Sequence, residues 1–475
     1  MKQMDRFLNF EEKYAESLMQ FKVRSLHLWP GVRTSLYMDF FNSFNGLQKP
    51  HASLQKDVCL IKKLIYNAVA RGKNPYFSLP KADMVFLTTA RNRIKLENGK
   101  SFDNSYDYFV GSSHKRSLFL EEPFRMAHFS PECHDNIRYL DAIRLWGRVK
   151  RSFFSRSYFN EENVEQCKSF ASFLAKIMRK DLEVPSSLVD QLSHDPSFLI
   201  KMIVYAESLE RIILRTEAQI VSIHCCGYGG GNAFLAKKLK KRGIKVIEFQ
   251  HGSVSEAHPA YNYSLLPHSY HDYLPDFFLT FGEYWSNISH RYPVKKVAIG
   301  KPFLESQLQK KQPEGKGSNK ILIVSQGTMT SQFVELTKKL RSKLPENFGV
   351  TFRLHPGEIP FREGRCQEIE SVPGIEIEES GDIYSSISNH EFIVGAYSTV
   401  MFEALPFEKK IYIWDTELSK RYIPSEVGIR FKNADDLATL LVENKGQLAE
   451  WGYYWEKDWR KRFECFLENI YYAVL

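Results

Sequence analysis

The chain has 475 residues, of which 65 are Lys or Arg and 56 are Asp or Glu, giving a formal charge of +9 with histidine neutral. Its 35 Phe, 24 Tyr and 7 Trp exclude a disordered polymer, and no window approaches the ~18 apolar residues of a membrane-spanning helix. At roughly 150 residues per domain this length predicts two or three domains. The charge is compatible with anionic small substrates or an anionic membrane face and too small to indicate nucleic acid.

In chain order, the charged N-terminus MKQMDRFLNFEEKYAE has no apolar core and is not expected to be a signal peptide. The first ~190 residues read as mixed and irregular, with a helix expected over 52–71 and a strand over 84–88. Thr88-Thr89-Ala90-Arg91-Asn92-Arg93 closes that strand and offers two guanidiniums to an anionic acceptor, the alternative being ordinary surface charge. From 197 the pattern changes. A helix over 197–216 leads to a β-branched strand over 219–224, the glycine run Gly227-Tyr228-Gly229-Gly230-Gly231, a helix over 232–242 and an apolar strand over 244–249. Strand, glycine turn, helix, strand is a βαβ unit, which implies a parallel sheet.

Strands at 276–280 and 297–299 close the first half, and the polar stretch 306–319 reads as a linker. A second alternation follows, with strands at 321–324, 350–354, 391–394 and 410–414. The aromatic, amphipathic segment 446–472 is expected to fold back as a helix onto the first domain. The expected fold is therefore α/β with two Rossmann-like domains. The first spans 1–300, a linker 301–319, the second 320–445, and the returning helix 446–475.

In open parallel sheets ligands bind beyond the carboxyl ends of the strands. Those ends are polar here. The first half offers Gln250-His251-Gly252, with His251 placed as a general base, or else as a histidine bridging loop carbonyls. His258 and Tyr261 on the following loop, and the floor formed by Tyr228, Gly229 and Gly230, are read as the acceptor side. The second half offers three tips. Gln326-Gly327-Thr328 follows one strand, and Arg353-Leu354-His355-Pro356 ends another, where the proline keeps His355 out of the helical region. Gly395-Ala396-Tyr397-Ser398-Thr399 ends the third, and Ser398 or Thr399 is expected to cap a helix whose N-terminus receives phosphate. Glu403 lies one turn on, where it suits ribose hydroxyls or is simply a solvated carboxylate. No P-loop, dinucleotide fingerprint, Asp-x-Asp or metal-ligand spacing is present, so no metal or cofactor is expected. Seven cysteines without a C-x-x-C pair read as buried thiols in a reducing compartment.

Phe249-Gln250-His251-Gly252, Arg353-Leu354-His355-Pro356 and Tyr397-Ser398-Thr399-x-x-x-Glu403, with Gly282-Glu283-Tyr284-Trp285 and Gly300-Lys301-Pro302, resemble bacterial capsule-polysaccharide and teichoic-acid transferases of the GT-B type. That set includes TagF-like glycerophosphotransferases, polysialyltransferases and Kdo-transferring enzymes, and the likeness covers roughly 215–415. The resemblance implies His251 as the base, His355 and the Ser398/Thr399 amides on donor phosphates, and Glu403 near the ribose. In glycerophosphotransferases the His-Gly pair is followed by Thr-Pro. Here Ser253-Val254 follows, which favours a sugar donor over a polyol phosphate.

The expected function is a metal-independent, inverting glycosyltransferase using a nucleotide-sugar donor, a CMP-sugar by preference, and a glycan or glycolipid acceptor. A CDP-polyol phosphotransferase and a non-catalytic nucleotide-sugar-binding assembly protein stay open as alternatives. The expected location is cytoplasmic. Peripheral contact with the inner membrane through the Lys-rich helix 237–242 and segment 451–462 competes with a solvated helix face and a packed C-terminal helix.

Overall fold

The computed structural model describes residues 2–44, 72–96, 98–112, 115–144, 159–183, 187–256, 258–310, 317–359, 364 and 366–472. The helix expected over 52–71 lies outside them. In chain order the strands are Lys22–Val23 (β1), Leu26–His27 (β2), Met84–Thr89 (β3), Arg93–Lys95 (β4), Ser101–Asp103 (β5), Ser117–Glu122 (β6), Ile137–Tyr139 (β7), Ile220–Ile223 (β8), Lys245–Phe249 (β9), Phe277–Thr280 (β10) and Lys295–Ala298 (β11). The second half adds Lys320–Val324 (β12), Gly349–Arg353 (β13), Ile375–Glu378 (β14), Phe392–Gly395 (β15), Lys410–Trp414 (β16) and Ile429–Phe431 (β17).

Two parallel sheets result. The first has the order β11-β10-β9-β8-β3-β6-β7 and the second β14-β13-β12-β15-β16-β17. In each, the first strand lies inside the sheet. The chain winds outward to one side and then returns to continue on the other, leaving a switch point beside β3 and beside β12. The central strands β8, β12 and β15 are buried along their length, apart from Lys320 at the start of β12, because helices cover both faces. The fold is α/β, with two Rossmann-like domains.

In the first ~190 residues the strand expected at 84–88 is present as β3, whereas β6 and β7 were not expected. These are three of the seven strands of the first sheet. The expected linker is also partly helical, since Pro302–Lys310 forms a helix whose Phe303 and Leu304 are buried. The returning helix is shorter than expected, Trp459–Tyr472, and residues 446–458 approach it without regular structure. Its aromatic face packs on the first sheet: Phe463 lies 4.7 Å from Phe109 and 6.0 Å from Phe249 between ring centroids, and Phe466 lies 5.3 Å from Phe277.

The basic helix Gly231–Lys241 does not present a free cationic face. Lys238 pairs with Glu207 and Glu210 at 3.2 Å, Lys237 with Asp272 at 3.2 Å, Lys240 with Asp276 at 3.7 Å, and neighbouring Arg242 with Glu210 at 3.0 Å. Trp455 and Trp459 are buried core residues, which favours the packed C-terminal helix over a membrane-facing segment. Among the described residues no helix is long and apolar enough to cross a membrane.

Candidate functional site

His251 emerges directly after β9, in a turn that Gln250 fixes. The Gln250 amide donates to Gly252 O (2.8 Å) and its carbonyl accepts from Phe281 N (2.8 Å). The His251 ring is exposed on its open side. Its neighbours are His224 and Tyr228, each 5.4 Å away between centroids, and the Cys225 thiol, 3.7 Å from both ring nitrogens. The surrounding walls withhold part of the hydration shell, and His224 and Arg91 add positive potential, so its pKa lies below the ordinary imidazole value. A neutral ring with no carboxylate partner among the described residues is suited to accept a proton.

The loop carrying Tyr228, Gly229 and Gly230 is held from below. Glu248, fully buried on β9, accepts from Gly227 N (3.0 Å), Tyr261 Oη (3.0 Å) and Tyr292 Oη (2.9 Å), and burial raises its pKa to about 7. Gly229 is required: its φ is +74°, and a Cβ there would lie 2.7 Å from Pro30 O. Tyr261 is therefore corrected from acceptor-lining to core, stacked on Phe278 at 5.0 Å. His258 accepts from Ala260 N at Nδ1 (3.2 Å), so its hydrogen sits on Nε2 and reaches Tyr228 Oη at 3.1 Å. The loop above them is anchored by Arg33. Buried with Glu11 at 2.6 Å, it also donates to Pro259 O (3.1 Å) and Asn262 O (2.5 Å).

The two N-terminal arginines part company. Arg91 is exposed, and its charge lowers the pKa of His224, His251 and His355 together. Arg93 is buried and paired with Glu121, which also accepts from His128 (2.6 Å); His128 reaches Asp141 at 2.6 Å on its other side. Arg93 is therefore corrected from acceptor ligand to internal ion pair.

In the second domain His355 follows β13 and is exposed. Gly357 N donates to its Nδ1 at 3.0 Å, which places the hydrogen of the neutral ring on Nε2. His355 is thereby a hydrogen-bond donor. Burial lowers its pKa, an effect that Glu358 opposes and Arg91 reinforces. Glu358 itself is buried and accepts from His355 N (2.6 Å), Ser325 Oγ (2.8 Å) and the Thr330 hydroxyl, joining the ends of β12 and β13. Arg353 is not available to phosphate: it pairs with Glu378 (2.9 Å) and donates to Ser386 Oγ (2.8 Å) and Gly381 O (2.7 Å).

The remaining tips knit together. Gln326 Oε1 accepts from Tyr397 N (3.0 Å), and Thr328 shares a hydroxyl bond with Tyr397 Oη. Gly327 passes over Glu358, and Gly395 makes room for Met401, whose methyl would lie 2.7 Å from a Cβ. The helix after Ser398 is one turn, Val400–Glu403, and Thr399 does not cap it. Its hydroxyl reaches Ser253 instead, accepting from Ser253 N (3.1 Å) and bonding Ser253 Oγ (2.9 Å) across the domains. Ser398 Oγ accepts from Val400 N at 3.3 Å. The helix expected to be capped by Ser398 or Thr399 is thus a single turn whose first N–H is met by Ser398, while Thr399 ties it to the facing domain. Glu403 is buried against Lys301 rather than solvated, and both line a cavity of about 210 Å³ together with Gln250, His251 and Tyr384.

Sequence reasoning missed Glu358, Glu248, Lys301 and His224. Glu358 carried a signal, standing three residues after His355; the others depend on neighbours distant in the chain. Among the described residues no group of three or more His, Cys, Asp or Glu side chains is arranged to hold a metal ion.

No family's sequence profile matches the chain, and no curated protein sequence does. Solved structures similar in fold include the UDP-GlcNAc 2-epimerase of Methanocaldococcus jannaschii in complex with UDP-GlcNAc and UDP, at 14% identity and TM-score 0.44, covering 82% of this chain and 99% of that one. The Neisseria meningitidis UDP-GlcNAc 2-epimerase bound to UDP-GlcNAc matches at 11% identity and TM-score 0.47, with coverage of 82% and 99%. The kitacinnamycin glycotransferase matches at 10% identity and TM-score 0.44, with coverage of 83% and 99%.

Proposed function

We propose that the chain is a glycosyltransferase that moves a sugar from a nucleotide donor, a CMP-sugar by preference, to a hydroxyl of a glycan or glycolipid acceptor. The observation that carries this reading is the pairing of opposite hydrogen-bond characters on two strand tips. A neutral His251 able to accept a proton stands on the first domain, and a His355 whose Nε2–H donates stands on the second. Arg91 is near enough to both for its charge to act on each ring.

The chemistry then balances. The acceptor O–H gives its proton to a His251 ring nitrogen as its oxygen attacks the anomeric carbon. The bond from that carbon to the phosphate oxygen breaks, and the nucleotide leaves with the electron pair. His355 Nε2–H and the Arg91 guanidinium stabilise the charge gathering on that phosphate. Attack by one oxygen in one displacement inverts the carbon.

Melting-temperature shifts with CMP, CDP, UDP, GDP and ADP identify the nucleotide, because a ligand selective for the native state raises stability by mass action. Product analysis by anomer-resolved NMR with the matching sugar nucleotide tests transfer: a glycoside of inverted configuration supports the reading, and a phosphodiester formed from CDP-glycerol or retained configuration overturns it. Nucleotide binding with neither transfer nor hydrolysis favours the non-catalytic binding protein.

A further inference from the structure

His224 directly follows β8, the strand beside β9 that leads to His251, and its ring is rigidly mounted. Its backbone N donates to Leu87 O (3.2 Å), and its carbonyl accepts from Asn232 Nδ2 (3.0 Å). Behind it stands Tyr106, fully buried, with its hydroxyl 3.1 Å from His224 Nδ1 and its ring edge-on to the imidazole at 87°. Tyr106 is itself placed by Asp103, which accepts from Ser105 N (2.9 Å) and Tyr106 N (3.3 Å), while Thr88 donates to its other oxygen (2.6 Å).

The protonation states follow from burial. Desolvation holds the Tyr106 phenol well above its ordinary pKa, so it keeps its hydrogen. A buried hydroxyl hydrogen without an acceptor is costly, and His224 Nδ1 lies 3.1 Å from this hydroxyl, while Ser222, the other hydroxyl that acts on Tyr106, lowers the phenol's pKa as a donor does. Desolvation, with Arg91 beside it, also lowers the His224 pKa to about 4, so the ring is neutral near pH 7. With Nδ1 accepting, the single ring hydrogen of His224 is on Nε2, which has no partner among the described residues and lies on a half-buried ring 5.4 Å from His251.

We propose that Tyr106 fixes the tautomer of His224 so that its Nε2–H binds an acceptor oxygen adjacent to the hydroxyl that His251 deprotonates. This rests on the transferase reading. Two neighbouring rings, one accepting and one donating, match two neighbouring oxygens, so the acceptor is a sugar or polyol with a vicinal oxygen. Tyr106 is a positioning residue, and His224 touches substrate.

The test is 15N-histidine NMR of the full-length protein at pH 7, with His224→Gln assigning the resonance and Tyr106→Phe perturbing it. A protonated Nε2 and bare Nδ1 in the wild type, giving way to mixed tautomers in Tyr106→Phe, support the relay. A protonated Nδ1, or a spectrum untouched by Tyr106→Phe, overturns it. With the sugar nucleotide that gives transfer, His224→Gln raises acceptor KM about 10-fold, the scale of one hydrogen bond, and leaves the nucleotide-induced melting shift intact. An unchanged acceptor KM, or loss of the nucleotide shift, overturns the acceptor role. Failure of the wild type to transfer any sugar counts against the transferase reading, whereas the tautomer is judged by the spectrum alone.

Discussion

The strand-end positions of His251 and His355 were legible because each follows an apolar strand with a helix-breaking residue behind it, Gly252 and Pro356. Arg353 was misread for a reason of register: it lies directly opposite Glu378 on the adjacent strand, and that pairing is invisible until β13 and β14 are aligned. Arg93 was misread because Glu121 reaches it from β6, a strand with no recognisable motif. Two predictions belong here. His251→Ala lowers kcat by about 10²- to 10⁴-fold, the usual contribution of a positioned base, while the melting shift given by the nucleotide persists; steady-state kinetics beside thermal shifts check both. The second concerns pH. A lowered His251 pKa means the ring is protonated, and inactive as a base, only in acid. The acid limb of kcat/KM therefore lies below about 6.5, the free imidazole value, and activity is flat from there to neutrality. A limb above 6.5 in the pH profile contradicts this.

At the scale of elements, β12, β13, β15 and β16 were readable because each is a short apolar run in a regular strand–helix alternation, whereas the edge strands β14 and β17 were not expected. The first sheet was half hidden. β3, β6 and β7 are separated from β8 by long stretches in which three-residue β7 gives no periodic signal, and only tertiary pairing of β3 with both β6 and β8 reveals the sheet. The polar stretch after 301 became a helix because buried Phe303 and Leu304 anchor its first turn. Gly229→Ala is expected to destabilise by at least the ~1–2 kcal/mol of a left-handed non-glycine residue, with the contact against Pro30 O in addition. Denaturant titration measures it. Phe463→Ala is expected to cost about 3–5 kcal/mol, as for a large aromatic removed from a core, because its ring packs on Phe109 and Phe249. The same titration checks this. Acceptor-side chemistry is lost only through unfolding.

At the scale of the whole molecule, the two sheets present their carboxyl edges to one gap, and the chain bolts that gap in three places. Ser253 meets Thr399, Lys301 meets Glu403, and Trp455 Nε1 donates to Phe402 O at 2.9 Å. The architecture followed from counting strand–helix alternations, but the bolts did not, since each joins residues from both domains or from the returning C-terminal segment. The central claim is that His251 and His355 face one another over a shared gap filled by an activated sugar. A crystal structure with the bound nucleotide tests it most directly. A phosphate oxygen is expected within about 3 Å of His355 Nε2, with the leaving oxygen directed toward His251. A nucleotide bound elsewhere, or with its phosphate turned away from both rings, would contradict it.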